Sequence, residues 1–279
     1  MVIERIINNN VVSSRDNDGM EIVIMGSGIA FGKKKGEYVE EVRIEKIFRM
    51  EDENALARFK NLLAKLPMEH IQVSNEIISC AKESLGTELN ENVYITLTDH
   101  ISFALERYKE GMFFPNALHN EIKRFYTTEY QVGIQALKLI KEKTGIVLPD
   151  DEASSIALHL VNAEFGLKVR DTWVMTNMIS KMLDLITVKY PELKGESLEK
   201  DRLLSELRFT AYRVLMLKPL KEEGDDGLTR FFTENCSKSV ITAREVALEV
   251  EREYERRMTQ EEQLYLAVYL KRIEDLYKK

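Results

Sequence analysis

Two stretches of the chain carry the same anchor residues at the same spacing, so any fold has to accommodate both as equivalent units. In the first, Leu97-Thr98-Asp99-His100-Ile101 is followed by Phe103 and Arg107, and Glu152-x-x-x-Ile156-Ala157-Leu158-His159 comes later. In the second, Leu204-Ser205-Glu206-Leu207 is followed by Phe209 and Arg213, and Glu262-x-x-x-Leu266-Ala267-Val268-Tyr269 comes later. Phe103 and Arg107 lie 3 and 7 residues after His100, as Phe209 and Arg213 do after Glu206. His159 lies 7 residues after Glu152, as Tyr269 does after Glu262. The repeat implies two copies of one helical domain. One copy holds two histidines; the other holds a glutamate and a tyrosine in their places.

The 279 residues leave room for two or three domains, with a short N-terminal piece too small for a core of its own. Apolar residues at 44% and charged residues at 31% fit a helical protein rather than a disordered one. No apolar run approaches the ~20 residues that span a bilayer, and no secretory signal is expected at Met1-Val-Ile-Glu-Arg-Ile-Ile-Asn8, so the chain reads as cytoplasmic without membrane insertion. Cys80 and Cys236 match no metal-ligand spacing and read as free thiols. The net charge of −7 argues against a polyanion partner for the whole chain, but it is unevenly spread. Residues 1–50 carry eight basic and eight acidic side chains, so the excess negative charge lies entirely beyond them. A polyanion suits the head and not the body.

The head reads as strands. Ile3 to Val12 is β-branched, Arg15-Asp-Asn-Asp-Gly19 is a turn cluster, and Glu21 to Met25 is a second strand broken by Gly26-Ser27-Gly28. Ile29 to Phe31 resumes, Gly32-Lys-Lys-Lys-Gly36 turns, and Tyr38 to Ile44 is expected as the last of four short antiparallel strands. Such a sheet buries little by itself, and a second copy would supply the missing core. From Asp52 the period becomes helical. Leu56, Phe59, Leu62 and Leu63 share one face, and further amphipathic segments are Ser74–Leu85, Val93–Lys109, Asn116–Phe125, Glu129–Lys143 and Asp151–Ala163. A second helical set runs from about Thr172 to Tyr277, with breaks at Pro191, Pro219 and Gly224-Asp-Asp-Gly227.

His100 interrupts an apolar face of Leu97, Ile101, Ala104 and Tyr108, and His159 stands similarly among Ile156, Leu160 and Ala163. Two core histidines satisfied by a carbonyl or a carboxylate are the plain reading. A zinc pair lacks matching ligands, so no metal or cofactor is expected. A third reading is nucleophilic: a neutral imidazole accepts a phosphoryl group, Asp99 or Glu152 fixes its tautomer, and Arg107 pairs with the added charge. A dianion placed on an apolar face acts as a switch rather than as an active site. His70, in a linker-like stretch after Pro67, and His119 read as surface or structural residues.

Three motifs together carry a resemblance. Asn8-Asn-Asn-Val-Val12, Val23-Ile-Met-Gly-Ser-Gly-Ile-Ala-Phe-Gly-Lys-Lys-Lys-Gly36 and Arg43-Ile-Glu-Lys-Ile-Phe48 resemble the RNA-binding domain of the BglG/SacY/LicT family of transcriptional antiterminators. Leu97-Thr-Asp-His-Ile101 and Glu152-x-x-x-Ile-Ala-Leu-His-Leu-Val-Asn-Ala163 resemble that family's first phosphotransferase-system (PTS) regulation domain, and Glu249 to Leu270 resembles the end of its second. The likeness spans the chain and is greatest to LicT-type members. It implies a co-antiterminator RNA-binding domain over residues 1–56, a small antiparallel sheet that acts as a dimer. Two all-α helical-bundle regulation domains are implied over 57–170 and 171–279, the second without either histidine.

The resemblance further implies a homodimer that is not an enzyme. It binds an RNA hairpin in a nascent leader transcript and so prevents a terminator from forming. Arg5, Asn10, Gly26, Ser27, Gly28 and Phe31 are the expected RNA contacts, with Lys33 to Lys35 on phosphates. Asn10 suits base edges or sugar hydroxyls, the glycines suit close backbone approach, and Phe31 suits stacking. The family commonly places a basic residue where this chain has Ser27, so one contact is either missing or supplied from elsewhere. Phosphorylation of His100 and His159 by the EIIB-type component of the sugar permease is the expected off switch, with HPr a second possible donor. In the second domain HPr usually provides an on switch, which Glu206 and Tyr269 cannot receive. Glu206 places a fixed negative charge where that phosphate would sit. A phosphocarrier that passes phosphate onward and a DNA-binding regulator with the same domains stay open, although no helix-turn-helix pattern precedes residue 50.

Overall fold

A computed structural model describes residues 1–195, 197–218 and 237–277. The chain divides into two compact units, Met1–Leu167 and Lys168–Lys279. Among the described residues no helix is long and apolar enough to cross a membrane. Cys236 and the breaks expected at Pro219 and Gly224–Gly227 lie outside the described residues.

The first unit begins with an antiparallel meander in the order β1 (Arg5–Asn8), β2 (Val11–Arg15), β3 (Glu21–Met25) and β4 (Lys46–Arg49). Four antiparallel strands form as expected, but three of the segments differ. Ile3 to Val12 is not one strand: it folds back at Asn9-Asn10, where the Asn8 side chain accepts the Asn10 N–H at 2.8 Å. This is the side-chain turn that asparagine favours, and it outweighs the β-branched composition around it. Ile29–Phe31 and Tyr38–Ile44 are not strands either. Successive four-residue turns run through the first, with Ile29 N–H bonded to Gly26 O, Phe31 N–H to Gly28 O and Lys33 N–H to Ala30 O. The second holds a single bridge from Tyr38 to Val2 and a 3-10 turn at Glu41–Arg43. Both segments are apolar because they cover the sheet. Ile29, Ala30 and Val39 join Ile3, Val12, Ile22 and Ile24 in one buried cluster.

The opposite face carries Val23 and its ladder neighbour Phe48, and it is covered by helices of the same chain. Phe48 meets Phe59 edge to face at 4.8 Å between ring centres and Tyr94 at 5.2 Å, the geometry aromatic quadrupoles favour. Both faces of the sheet are therefore covered within one chain. This explains why every residue from Val11 to Ser14 and from Ile22 to Met25 is buried.

Helices α1 (Glu53–Leu63), α2 (Met68–Leu85), α3 (Val93–Lys109), α4 (His119–Phe125), α5 (Thr127–Thr144) and α6 (Asp150–Phe165) complete the unit. Asp52 caps α1 by accepting the Asn54 N–H at 2.8 Å. α2 starts earlier than its apolar pattern predicts, directly after Pro67, and this draws His70 into the core at 3% exposure. His70 is thus neither on the surface nor in a linker; its Nδ1 lies 2.9 Å from Ser102 Oγ. Helix α4 starts later than expected, because Asn116 turns the chain before it by accepting the Leu118 N–H. α2 packs on α3 and α5, and α6 packs on α3 and α5, which closes a four-helix ring.

The second unit contains α7 (Val169–Lys189), a 3-10 turn at Pro191–Lys194, α8 (Leu198–Leu215), α9 (Ser237–Tyr254) and α10 (Gln260–Tyr277). Pro191 ends α7 as expected. Here α7 packs on α8 and α9, and α10 packs on α8 and α9. The cyclic order matches the first unit, with α3 and α6 answering to α8 and α10, the helices that carry the repeated anchors.

Candidate functional site

On α3, Leu97, Thr98, Ile101, Ala104 and Leu105 are buried, while Asp99 and Phe103 are exposed, which leaves His100 half-buried at the edge of the apolar face. Tyr108 stands outside that face at 42% exposure. α6 begins with Asp150, Asp151 and Glu152, where acidic groups complement the helix dipole, and it carries His159 two turns further on. Because α3 and α6 are neighbours, the two imidazoles meet with ring centres 4.8 Å apart, tilted by 38°. Glu152 is 3% exposed and uses both oxygens. One lies 3.1 Å from His100 Nε2, off the line of a regular hydrogen bond, and the other receives Arg107 Nη2.

Of the two carboxylates considered for fixing the tautomer, Glu152 is the one in place. An anion beside Nε2 favours the proton there and leaves Nδ1 as the free lone pair. His159 Nδ1 is buried and has no hydrogen-bond partner among the described residues. Burial, reinforced by the Arg107 cation, lowers the His100 pKa to about 4 against a small opposing effect of Asp99. Burial and the neighbouring His100 ring lower that of His159 to about 3. Two neutral imidazoles therefore face each other at neutral pH, both competent as nucleophiles. The Arg107 guanidinium lies 5.4 Å from the Phe103 ring and 5.3 Å from Phe114, both half-exposed. An immobilised cation thus stands at the mouth of the pair. His119 is structural as expected: its Nδ1 lies 2.9 Å from Ser154 Oγ.

The second unit keeps the scaffold and changes the reactive positions. Arg213 again pairs with a buried glutamate, Nε to Glu262 Oε1 at 3.2 Å. Glu262 also closes a reciprocal cap with Thr259, which fixes the start of α10. At the first histidine position Glu206 Oε1 lies 3.5 Å from Arg213 Nη2. At the second, Tyr269 donates to the Glu199 carbonyl at 2.8 Å.

In the head, the expected RNA residues gather around the Gly26–Phe31 loop. Asn10 Oδ1 accepts the Gly28 N–H at 2.8 Å and its backbone carbonyl accepts the Gly26 N–H, so this side chain builds the loop while its NH2 has no partner among the described residues. Gly26 is buried, and a Cβ there would sit 1.8 Å from the Arg43 carbonyl oxygen. Its close approach is therefore to this chain's own backbone. Gly28 has φ +62°, a left-handed conformation that favours glycine. Ser27 is exposed, Phe31 is 74% exposed, and Arg5 is exposed on β1 outside the loop. One neighbour of the loop escaped the sequence reading as a contact. Arg43 donates from Nη1 to the Gly28 carbonyl at 3.3 Å and from Nε to Glu40 at 2.8 Å. Its place in the Arg43-Ile-Glu-Lys motif was the available signal. Cys80, on α2, is half-buried and donates to Gln135 Oε1 at 3.5 Å.

The CAT RNA binding domain family matches residues 1–57, and the PRD domain family matches residues 75–163. The transcription antiterminator LicT of Bacillus subtilis (strain 168) is 39% identical over 98% of this chain and 99% of its own. The beta-glucoside operon antiterminator of Dickeya chrysanthemi is 35% identical over 98% and 96%. The crystal structure of GlcT CAT-PRDI superposes with a TM-score of 0.52 at 34% identity, over 58% of this chain and 97% of that one. An RNA-binding sheet followed by regulation helices defines the class: transcription regulators that act on RNA under phosphotransferase control. The chain belongs to the BglG/SacY/LicT family of transcriptional antiterminators. The family read from the sequence holds, with relatives aligned over 98% of this chain, and neither a phosphocarrier nor a DNA-binding regulator is favoured.

Proposed function

We propose that the chain is a cytoplasmic, homodimeric, non-enzymatic antiterminator whose RNA binding is turned off by phosphorylation of His100 and His159. The domains are taken as 1–56, 57–170 and 171–279, the last being a regulation domain without its histidines. The observation that carries the reading is the paired histidine rings, 4.8 Å apart, with Glu152 and Arg107 around them. An EIIB-type permease component is the donor. A ring nitrogen lone pair forms the N–P bond as the bond from phosphorus to the donor breaks, and the other ring nitrogen keeps its proton. The new dianion meets Arg107 and a buried glutamate, so the α3–α6 seam has to repack.

RNA is contacted by Arg5, Asn10, Ser27, Gly28 and Phe31, and Gly26, buried against the Arg43 carbonyl, shapes the loop behind them. The stacking surface is Phe31, and the free Asn10 NH2 reads a base or ribose. Arg43 supplies the cation missing at Ser27, since its guanidinium already touches the loop at Gly28. In the second unit Glu206 already occupies the arginine that a phosphate would recruit, which supports an on switch fixed by a permanent charge. A gel shift of the full chain with an RNA hairpin selected by it from a random-stem library tests the interface. Phe31→Ala is expected to lose about 1–3 kcal/mol of binding. Arg43→Ala is expected to flatten the salt dependence by about one unit of slope. Binding indifferent to salt and to Phe31→Ala overturns the reading.

A further inference from the structure

One side chain joins the glycine loop to α2 by hydrogen bonds at both of its ends. Glu45 sits between the 3-10 turn and β4, its backbone N–H held by the Met25 carbonyl at 2.9 Å. Its carboxylate is divided between two donors from different parts of the unit. Oε1 accepts the Ser27 N–H at 2.9 Å, and Oε2 accepts Gln72 Nε2 of α2, also at 2.9 Å. Glu45 and Gln72 line an open cleft together with Met25 and Asn75, and the Asn75 amide reaches the Met25 sulfur at 3.7 Å. The link is therefore solvent-lined and can be made or broken without opening a core. α2 in turn packs on α3, the helix that carries His100.

We propose that Glu45 is a positioning residue for RNA recognition, a strut through which Gln72 of the regulation bundle holds the backbone of the Ser27 loop. This rests on the reading that the loop contacts RNA. The Ser27 N–H lies in the loop that presents Phe31, and a carboxylate anchored at both oxygens restricts that loop more than one anchored at a single oxygen. With Gln72 in place the loop is held ready; when α2 shifts, Oε2 loses its donor and Glu45 is free to swing out with the loop. Repacking at His100 thereby reaches the RNA surface through this hydrogen-bonded link, without any residue of the bundle touching RNA.

The test uses the full chain, the library-selected hairpin and variants at the two ends of the strut. Gln72→Ala is expected to weaken binding about five-fold, the effect of one hydrogen bond to a charged group at an exposed site. Gln72→Glu is expected to weaken it about ten-fold or more, because two carboxylates now face each other. Ser84→Glu, which adds the same charge on an exposed part of α2, is expected to stay within about two-fold of wild type. In a Glu45→Ala background the residue 72 substitutions are expected to have no further effect, which is the coupling signature of a double-mutant cycle. Hydrogen exchange supplies a readout without RNA: Gln72→Ala speeds exchange of the Ser27 amide and leaves Val23 and Ile24 protected. Wild-type affinity for both Gln72 variants, tighter binding by Gln72→Ala, or an undiminished effect in the Glu45→Ala background overturns the strut. If Phe31→Ala also binds normally, the loop reading fails and the strut fails with it. If Phe31→Ala is weakened and the Gln72 variants are not, the strut alone fails.

Discussion

His100 and His159 differ from solvent histidines because each has traded water for an apolar seam and a neighbouring ring. The neutral form is favoured in both, with pKa values lowered to about 4 and about 3. Both groups bind fewer protons folded than unfolded. Their contribution to stability is therefore present above the ordinary histidine value near 6.5 and is lost as pH falls through about 4 and about 3. A ring NMR titration of the full chain is expected to find both imidazoles neutral at pH 5.5; a midpoint near 6.5 for either contradicts the burial argument. Of this site, the histidine positions and Arg107 were legible in the sequence through the repeat. The choice of Glu152 over Asp99 was not, because it depends on how α3 and α6 pack. Glu206 belongs to the same scale. Its 3.5 Å contact with Arg213 predicts that Glu206→Gln lowers transcriptional readthrough in cells lacking HPr. Unchanged readthrough removes the fixed-charge explanation.

At the scale of elements, the strands were the harder part to read. Ile29, Ala30 and Val39 are apolar enough for strands, yet they cap the sheet; their burial is real, and it was the pairing that the pattern could not specify. The helices were more legible because a period of 3.6 residues over several turns has few alternatives. α2 and α4 are exceptions at their starts: residues 68–73 extend α2 beyond the periodic stretch, and the turn at Asn116 delays α4. The loop between β3 and β4 depends on contacts distant in sequence, above all the Gly26–Arg43 approach. Gly26→Ala places a methyl carbon 1.8 Å from a backbone oxygen, so the loop has to move. We expect RNA binding to fall at least ten-fold, with a stability loss of about 1–3 kcal/mol, the usual cost of overpacking. Chemical denaturation together with a gel shift checks both; normal RNA affinity in a folded Gly26→Ala protein contradicts the role given to the loop.

For the whole molecule, the repeat and the charge distribution carry the functional account. A head of zero net charge holds the loop proposed to meet RNA, and all of the net −7 is carried by the helical remainder. Each unit closes the same four-helix ring, and each buries an arginine–glutamate pair at the same seam. At the two reactive positions the rings differ, with histidines in one and a glutamate and a tyrosine in the other. The central claim is that one regulation domain accepts phosphate and the other does not. Phosphopeptide mapping of the full chain after reaction with purified phosphotransferase components, EIIB-type protein and HPr included, tests this most directly. The account predicts phosphate on His100, His159 or both, none in residues 171–279, and weaker hairpin binding by the phosphorylated protein. Phosphate within residues 171–279, or an unmodified His100 and His159 with active donors present, contradicts it.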